Sequence, residues 1–174
     1  MKRLFYITVA LGLLLSAACS NNGCLSNRSA IPLASLYSST TGSQITLSNI
    51  DVYGVGAPGD SMLVTHGEAV GDIYLPMRST AQSVSWVIHY TDAALDSPDF
   101  NDTITIDYTS TPFFASEECG AMYYYTITRL THSTHVIDSV VITIPDSLVS
   151  NLDLETMRIY FRTASADQPE TSGQ

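Results

Sequence analysis

The side chains best suited to hold a metal ion fall in two short loops of the sequence. His132 and His135 are separated only by Ser133 and Thr134, so two imidazoles stand close together between segments with strand-like patterning. A protein zinc site needs at least three protein ligands, and no third ligand accompanies these two. The sequence therefore favours a polar connecting loop here and predicts no metal site.

A second loop crowds oxygen ligands of the kind that Ca²⁺ prefers. These ligands are Asp96, Asp99, Asn101 and Asp102. A calcium loop of the EF-hand type needs a central glycine and a terminal glutamate, which this segment lacks, and Pro98 interrupts its spacing. We interpret the loop as a solvated turn, with a Ca²⁺-stabilised, adhesin-like domain as the alternative.

Catalytic motifs are weak in this sequence. Residues 54–59 have the G-x-G-x-x-G spacing of dinucleotide-binding loops, but Pro58 and the strand-like residues after it leave no helix to face a pyrophosphate, so a glycine-rich hairpin turn is expected. Glu117 and Glu118 are adjacent, and adjacent side chains of a strand point to opposite faces, which opposes shared acid–base chemistry. No G-x-S-x-G nucleophile motif occurs. The sequence predicts no catalytic residue, no cofactor and no enzymatic activity.

Three consecutive tyrosines, Tyr123, Tyr124 and Tyr125, form an aromatic segment. Aromatic faces bind sugars and hydroxyl tips form hydrogen bonds, so this segment is a possible ligand platform for a carbohydrate or a peptide. The competing interpretation puts one face of a strand in the core and the other face in solvent. The sequence favours this second interpretation and keeps the ligand platform as the alternative.

An Asp followed by Ser or Thr and then by an apolar residue occurs at several sites. This pattern is similar to the O-glycosylation acceptor of exported proteins of Bacteroidota-type bacteria. The candidate acceptors are Ser61, Thr103, Ser139 and Ser147. About one such match arises by chance in a chain with this much Asp, Ser and Thr, so the pattern indicates glycosylation without establishing it.

The N-terminus indicates export. Lys2 and Arg3 precede an apolar run over residues 4–15, which is shorter than the roughly 20 residues that span a bilayer core. A short positive segment, an apolar run and then small residues are the features of a secretory signal. We interpret residues 1–18 as a lipoprotein signal peptide that the mature chain loses.

The small residues that lead up to Cys19 are similar to a bacterial lipobox, in which the cysteine thiol receives diacylglycerol. Ser16 stands where the lipobox usually has leucine, so cleavage after Ala18 without lipidation is the alternative. Two or three acyl chains on one cysteine anchor a protein effectively permanently. Residues 19–30 then form the lipidated cysteine and a polar tether.

No run of acids follows Cys19, whereas surface-exported lipoproteins of Bacteroidota-type bacteria often carry one. The periplasmic face of the outer membrane is therefore expected rather than the cell surface.

The other two cysteines, Cys24 and Cys119, are an even pair in an oxidising compartment once Cys19 is assigned to the lipid. We expect them to form a disulfide that closes a loop of about 95 residues and fastens the tether to the body. On the chain-entropy estimate, such a loop stabilises the fold by a little under about 5 kcal/mol. A metal site and a reactive thiol are the competing interpretations.

Composition and charge exclude several classes of protein. Of the 174 residues, 45% are hydrophobic and 14% are charged, which excludes a disordered polyelectrolyte. Seven Lys and Arg against 17 Asp and Glu give a net charge of −10, so there is no basic surface for nucleic acid. Loss of residues 1–18 removes Lys2 and Arg3 and leaves five basic against 17 acidic residues, a lysine-free chain of charge −12. Any attachment to a membrane must then come from acyl chains and not from electrostatic attraction.

Period-two alternation in short segments, without convincing helical periodicity, predicts an all-β domain over residues 31–162. About eight short antiparallel strands indicate a two-sheet β-sandwich, Ig-like or transthyretin-like, with a partly open barrel as the alternative. The predicted strands are 45–55 with a bulge near 48–49, 61–65, 72–75, 83–90, 102–108, 121–130, 136–144 and 156–161. A single helical turn is expected at 145–148. Residues 163–174 have little to bury and are expected to be a disordered tail.

Four segments of the chain carry a family resemblance. They are DVYGVG at 51–56, DSML at 60–63, NDTITIDY at 101–108 and ECG at 118–120. Together with the lipobox, Cys24 and the strand that ends at Tyr90, they resemble a family of small uncharacterised lipoproteins of Bacteroidota, a domain of unknown function. The family has no assigned activity, so the resemblance implies a compartment and an architecture but no catalytic residue.

The features together predict an outer-membrane-anchored periplasmic lipoprotein that acts without catalysis, as a binding or assembly accessory to envelope components. The predicted partners are the membrane, through the N-terminal lipid, and an envelope protein or glycan, with no nucleic acid. A carbohydrate-binding module or sugar-active protein at the cell surface is the alternative that the three tyrosines suggest.

Overall fold

A computed structural model describes residues 30–116 and 120–163. The strands are β1 (Leu33–Ser38), β2 (Ile50–Gly54), β3 (Met62–Val64), β4 (Asp72–Tyr74), β5 (Ser83–Tyr90), β6 (Asp102–Ser116), β7 (Gly120–His132), β8 (Ile137–Ile142), β9 (Leu148–Val149) and β10 (Glu155–Phe161). Short 3₁₀ turns are Pro58–Asp60, Pro98–Phe100 and Pro145–Ser147. The predicted signal peptide, most of the tether, all three cysteines, Glu117, Glu118 and the tail beyond residue 163 lie outside the described residues. Within the described ranges, no helix is long and apolar enough to cross a bilayer.

The strands form two sheets that share one core. One sheet has the order β4-β1-β10-β8 and the other has the order β3-β2-β5-β6-β7-β9. The core contains side chains from both sheets, with Leu36 and Phe161 from the first and Trp86 and Ile106 from the second. The predicted two-sheet β-sandwich is confirmed.

Strands β1 and β10 run parallel, from Leu33 beside Glu155 to Ser38 beside Phe161. The other described strand pairs are antiparallel. The expectation of antiparallel strands is therefore wrong for this pair. Parallel neighbours need a long connection, and here the whole six-stranded sheet lies in the chain between the two strands.

Alternation predicts the two central strands of the larger sheet correctly. The inward residues are Val84, Trp86, Ile88 and Tyr90 on β5, and Ile104, Ile106 and Tyr108 on β6. Their neighbours in sequence are polar or only partly buried, which is the pattern of strands with one face on a core.

The predicted strand 45–55 is wrong in its first half, where the chain changes sheets. Ile45 donates from its backbone N–H to the carbonyl of Leu36 in the four-stranded sheet at 2.9 Å. Leu47 and Val70 then form an isolated bridge. Pairing with the six-stranded sheet begins only at Ile50, opposite Tyr90. The polar residues at 48–49 therefore mark a corner between the sheets and not a bulge within one strand.

The glycine-rich segment 54–59 joins β2 to β3, which pair antiparallel as a hairpin. Gly56 and Gly59 each have φ of +67°, a left-handed conformation that glycine adopts without strain. The segment leads into β3, as the sequence predicts, and it contains the 3₁₀ turn Pro58–Asp60, which the sequence does not predict. The chain also turns at Pro145–Ser147, but Asp146 and Ser147 have φ of +53° and +54°, so the right-handed helical turn expected at 145–148 is wrong.

The sandwich has two distinct ends. The described chain enters at Ala30, beside the start of β1, and we call this side the entry end. The ends of β2, β4 and β8 and the starts of β3, β5 and β10 lie there as well. The opposite side, which we call the distal end, holds the ends of β1, β3, β5, β7 and β10 and the starts of β2, β6 and β8.

Strands β6 and β7 form a long hairpin that reaches beyond its neighbours at the entry end. Pairing continues from Ile104 opposite His132 to Ser116 opposite Gly120. The neighbouring strand β5 covers β6 only as far as Asp107, which lies opposite Ser83. Strand β9 pairs with β7 as far as Tyr125, opposite Ser110, so the hairpin residues beyond this pair form an arm that projects from the sheet.

Candidate functional site

The most heavily hydrogen-bonded side chain at the distal end is the carboxylate of Asp102, which is 0% exposed. It accepts from the Tyr90 hydroxyl at 2.8 Å and from the Ser133 hydroxyl at 2.7 Å. It also accepts backbone N–H groups of the β7–β8 connection, from His135 at 2.9 Å, Val136 at 2.7 Å and Ile137 at 2.8 Å. A buried carboxylate is stable only when its lone pairs are occupied in this way.

The Arg162 side chain holds the same connection from its carbonyl side. Its Nη1 donates to the carbonyls of Thr134, His135 and Ile137 at 2.7, 3.3 and 2.9 Å. Its Nη2 lies 3.2 Å from an oxygen of Asp138. The β7–β8 connection links the six-stranded sheet to the four-stranded sheet. Asp102 accepts from its N–H groups and Arg162 donates to its carbonyls, so we call these two residues the clamp.

The electrostatics of the clamp favour an ionised carboxylate beside a protonated tyrosine. Burial raises the pKa of Asp102, but the hydrogen bonds from Ser133 and from the amides of residues 135–137 lower it by more, so the pKa lies below its ordinary value. Burial, together with the charge of Asp102, raises the pKa of Tyr90 far above its ordinary value. Tyr90 therefore stays a hydrogen-bond donor, and Asp102 is not poised to exchange protons at neutral pH.

Replacing Arg162 by methionine is expected to lower the free energy of unfolding by about 1–2 kcal/mol. The variant keeps the aliphatic stem but removes the donors for three carbonyls, and a hydrogen bond from a charged group contributes about 1.5–3 kcal/mol before exposure reduces it. The exposed contact with Asp138 adds little. Urea unfolding at pH 7 measures the change. Arg129→Met, at an exposed position of β7, is the matched control, and an equal loss in both variants would contradict the clamp.

A cleft of about 370 Å³ opens beside the clamp. Its apolar wall is formed by Leu47, Ile50, Tyr90, Leu95, Val136 and Phe161. Its polar rim is formed by Thr46, Ser48, Asn49, Asp92, Arg162 and Thr163. The rim is tied together, since the Asn49 amide donates to Asp92 at 2.8 Å and the Thr91 N–H donates to the Asn49 carbonyl at 3.0 Å. Apolar walls with a few fixed polar groups are typical of small binding sites.

All four histidines of the chain lie at this distal end. Nδ1 of His66 lies 2.9 Å from an oxygen of the Asp51 carboxylate, which also accepts the His66 N–H at 2.7 Å. The His89 ring approaches Asn101 Oδ1 at 2.8 Å through Nδ1, and His135 Nδ1 approaches the Asn101 carbonyl at 2.9 Å. These imidazoles thus contact Asp51 of β2 and Asn101, which directly precedes β6.

Acidification below about pH 4 is expected to destabilise the fold through Asp51 and Asp102. Burial raises the pKa of Asp51, but the hydrogen bonds from the His66 N–H and ring lower it by more. The carboxyl groups of Asp51 and Asp102 therefore both have a pKa below the ordinary value near 3.9. A depressed folded pKa contributes stability above the unfolded pKa, and that stability is lost as pH falls through the folded pKa. Urea unfolding midpoints from pH 7 to pH 2 measure this loss of stability. Asp51→Asn should flatten the acid limb, and an unchanged limb would contradict this assignment.

The histidines and oxygen ligands singled out in the sequence do not converge on a metal. His132 is the last residue of β7, and its Nδ1 lies 2.8 Å from the Ser133 carbonyl, while His135 lies in the connection to β8. The carboxylate of Asp102 is fully occupied by the clamp, while Asp96 lies 3.4 Å from His89 Nε2. Across residues 30–116 and 120–163, no three His, Cys, Asp or Glu side chains group as a metal site would require.

The three tyrosines do not share one exposed surface. Tyr125 is only 7% exposed and packs edge-on against Tyr108 at a centroid distance of 5.4 Å. Tyr124 is half-buried and stacks on Phe113 at 3.8 Å, and Tyr123 is exposed. Tyr123 pairs with Pro112, further out on the hairpin than Tyr125, which pairs with Ser110. The arm therefore offers Tyr123 and part of Tyr124, but not Tyr125, to a ligand.

The candidate glycosylation sites differ in accessibility. Ser61 is exposed beside the glycine-rich turn, whereas Thr103, Ser139 and Ser147 are half-buried. The lipidation candidate Cys19 and the disulfide candidates Cys24 and Cys119 lie outside the described residues, so these assignments stay predictions.

The sequence did not single out the clamp, although one signal for Asp102 is present in it. Asp102 has the same parity as Ile104, Ile106 and Tyr108, so a strand beginning at residue 102 points this carboxylate into the core. A lone acid on an apolar face indicates a satisfied buried group. Nothing in the sequence indicates Arg162 as its counterpart, because the two residues meet only through the loop at 133–137.

Comparisons with known proteins give one match. No curated protein and no solved structure matches the chain. A model of a family of unknown function, DUF6452, matches residues 49–161, which include β2 to β10 and the clamp residue Asp102. The match covers more than half of the chain. The chain therefore belongs to the DUF6452 family.

Proposed function

We propose that this protein is a small lipoprotein of a Bacteroidota-type bacterium, anchored at the periplasmic face of the outer membrane, that acts without catalysis as a binding or assembly accessory of the envelope. Cys19 would carry the lipid and residues 20–30 the tether. The distal cleft would receive the partner, an envelope protein or glycan. DUF6452 is a family of unknown function, so the proposal rests on the sequence signals and on the geometry of the sandwich.

The observation that carries the proposal is that the cleft lies at the distal end, opposite Ala30. A lipid anchor holds the entry end near the membrane, so the cleft would face away from it, towards soluble or wall-bound components. The walls of the cleft come from loops that are fixed to a rigid sandwich, which is the usual arrangement of binding loops.

The chemistry of the cleft supports binding rather than turnover. The buried acid beside it, Asp102, is held ionised by the clamp, and its oxygens are occupied by donors from Tyr90, Ser133 and the backbone. Such a group fixes the shape of the wall and has no free lone pair directed at a substrate. A preformed wall lowers the ordering cost of binding.

The route of the chain also supports the predicted disulfide. Ala30, after which β1 begins, and the paired residues Ser116 and Gly120, which flank Cys119, both lie at the entry end. A Cys24–Cys119 bond would join the tether to the tip of the arm on that side. This bond would hold the anchor, the arm and the start of β1 together, and would leave the distal end free.

A photo-crosslinking residue at Thr46, on the rim of the cleft, tests the binding role in intact envelopes. The expected result is one dominant adduct, which Leu95→Arg reduces at least tenfold by filling the cleft with a charged side chain. Leu63→Arg, at an exposed position of the entry end, is the control and should leave the adduct unchanged. No adduct at Thr46, or one that both substitutions affect equally, would overturn the binding role.

A further inference from the structure

Large hydrophobic side chains are exposed almost entirely on one half of the sandwich. In the described part of the chain they are Val55, Met62, Leu63, Tyr74, Phe100, Phe114, Tyr123, Val141, Leu148, Leu152 and Leu154. All but Phe100 belong to the half that includes the entry end, while the histidines and the polar rim of the cleft lie at the distal end. Exposed residues that are scattered singly need no explanation, whereas a contiguous apolar patch marks an interaction surface.

The densest part of this surface is a leucine patch on the connection from β8 to β10, which we define as Leu148, Leu152 and Leu154. The leucines line a shallow groove of about 270 Å³ together with Ile144 and Pro145. Leu152 is 62% exposed and Leu154 is 53% exposed. The patch reaches across the sheet to Tyr74, whose hydroxyl donates to Asp153 at 2.9 Å.

The chain leading to the predicted anchor limits how far this patch can lie from a membrane. Eleven residues follow Cys19 up to and including Ala30, where the described chain begins at the entry end. At no more than about 3.6 Å per residue, they span at most about 40 Å. An anchored entry end thus stays within about 40 Å of the membrane surface, a distance that lets the patch on that end reach the lipid headgroups.

We propose that the leucine patch lies on the lipid surface and fixes the orientation of the sandwich, with the distal cleft directed away from the membrane. This inference rests on the proposed lipid anchor. Leucine and tyrosine suit the boundary between headgroups and acyl chains, where apolar side chains enter and hydroxyl tips stay wet. Asp146 and Asp153 flank the patch, so the surface fits zwitterionic headgroups and opposes anionic ones.

A second copy of this chain is the less suitable occupant. A symmetric dimer brings the same patch of two copies together, and each copy of Asp146 and Asp153 would then approach its equivalent across a water-poor interface. Like charges close together in such an interface are unfavourable, and without residues 1–18 the chain has only five arginines, and no lysine, against 17 acidic residues. On a zwitterionic membrane the same carboxylates remain in water at the rim.

Brominated phospholipid quenching of an introduced tryptophan tests the orientation. The full mature lipoprotein is reconstituted in phosphatidylcholine–phosphatidylethanolamine vesicles as Leu152→Trp, with Phe100→Trp as the matched control at an exposed position of the distal end. The buried Trp86 contributes the same background to both and is measured in the wild type. We expect the added fluorescence of Leu152→Trp to be quenched at least threefold more than that of Phe100→Trp. Leu154→Trp should behave like Leu152→Trp.

The outcomes separate the orientation from the anchor. If the wild type floats with the vesicles but the two ends are quenched equally, the leucine patch does not lie on the lipid and only the orientation is overturned. If Leu152→Trp is shielded from acrylamide without being quenched by bromolipid, a second copy of the chain covers the patch and the proposal is likewise overturned. If the wild type carries no acyl chain and does not float, both the anchor and the orientation fail.

Discussion

Asp102→Asn is expected to lower the free energy of unfolding by about 3–5 kcal/mol. The substitution keeps the shape of the side chain but removes the charge and turns one acceptor oxygen into a donor, which then faces the N–H and O–H groups that now donate to Asp102. Unsatisfied buried donors cost about 1–3 kcal/mol each, and breaking a buried charged network costs about 3–5 kcal/mol. Urea unfolding at pH 7, followed by circular dichroism, measures the loss.

Asp99→Asn is the matched control for this prediction, because Asp99 is exposed in the loop just before β6. An exposed substitution of this kind should change the free energy of unfolding by no more than about 0.5 kcal/mol. The clamp makes a further prediction, since Asp102 and Arg162 hold the same loop and their effects should not add in the double variant. A loss below about 1 kcal/mol for Asp102→Asn would contradict the structural role of the carboxylate.

Removal of the predicted Cys24–Cys119 disulfide is expected to cost about 2–5 kcal/mol. The loop of about 95 residues restricts the unfolded chain strongly, and native strain and residual structure bring the cost below the chain-entropy estimate. Cys24→Ser, Cys119→Ser and the double variant should be equally destabilised, because loss of either thiol removes the same bond. Urea midpoints of the oxidised wild type and the three variants measure this.

A reducing agent provides the control for the disulfide. Reduced wild type should unfold at the midpoint of the serine variants, and the variants themselves should not respond to reduction. Titration of free thiols in the unfolded, oxidised wild type should find neither cysteine reactive. A reactive Cys119 in that titration, or an unchanged midpoint on reduction, would contradict the bond and leave the reactive-thiol interpretation.

The strands that sequence reasoning predicts best are those with one face on the core. On β5, alternation gives the inward set from Val84 to Tyr90 and both ends of the strand correctly. On β6, the same pattern gives the inward isoleucines. The physical reason is that burial of one face imposes period two on the sequence, so the pattern is visible without knowledge of the partners.

Strands that depend on distant partners were beyond such reasoning. β1 is parallel to the last strand, and its buried set includes Ala34, Ser35 and Leu36 in succession, which hides alternation. β9 has only two residues and exists because it pairs with Tyr125 and Thr126. The change of sheet at 48–49 likewise depends on pairing outside the segment, through the hydrogen bond from Ile45 to Leu36 and the bridge between Leu47 and Val70.

In the candidate site, too, some features are visible in the local sequence and others depend on distant partners. Asp102 is detectable from its parity on β6, but Arg162 and the amides that complete the clamp come from segments about 30 to 60 residues later. The cleft draws its walls from loops at 46–50, 90–95 and 161–163, which only the pairing of both sheets brings together. Neither the distal cleft nor the one-sided exposure of leucines has a local sequence signature.

Metabolic labelling with a clickable fatty acid, in cells that express either the wild type or Cys19→Ala, tests the central claim most directly. The proposal of a lipid-anchored binding protein predicts that the wild type is labelled and fractionates with the outer membrane, and that Cys19→Ala is unlabelled and soluble in the periplasm. Globomycin should make the labelled precursor, with residues 1–18 still attached, accumulate. An unlabelled wild type, or label that persists in Cys19→Ala, would contradict the proposal.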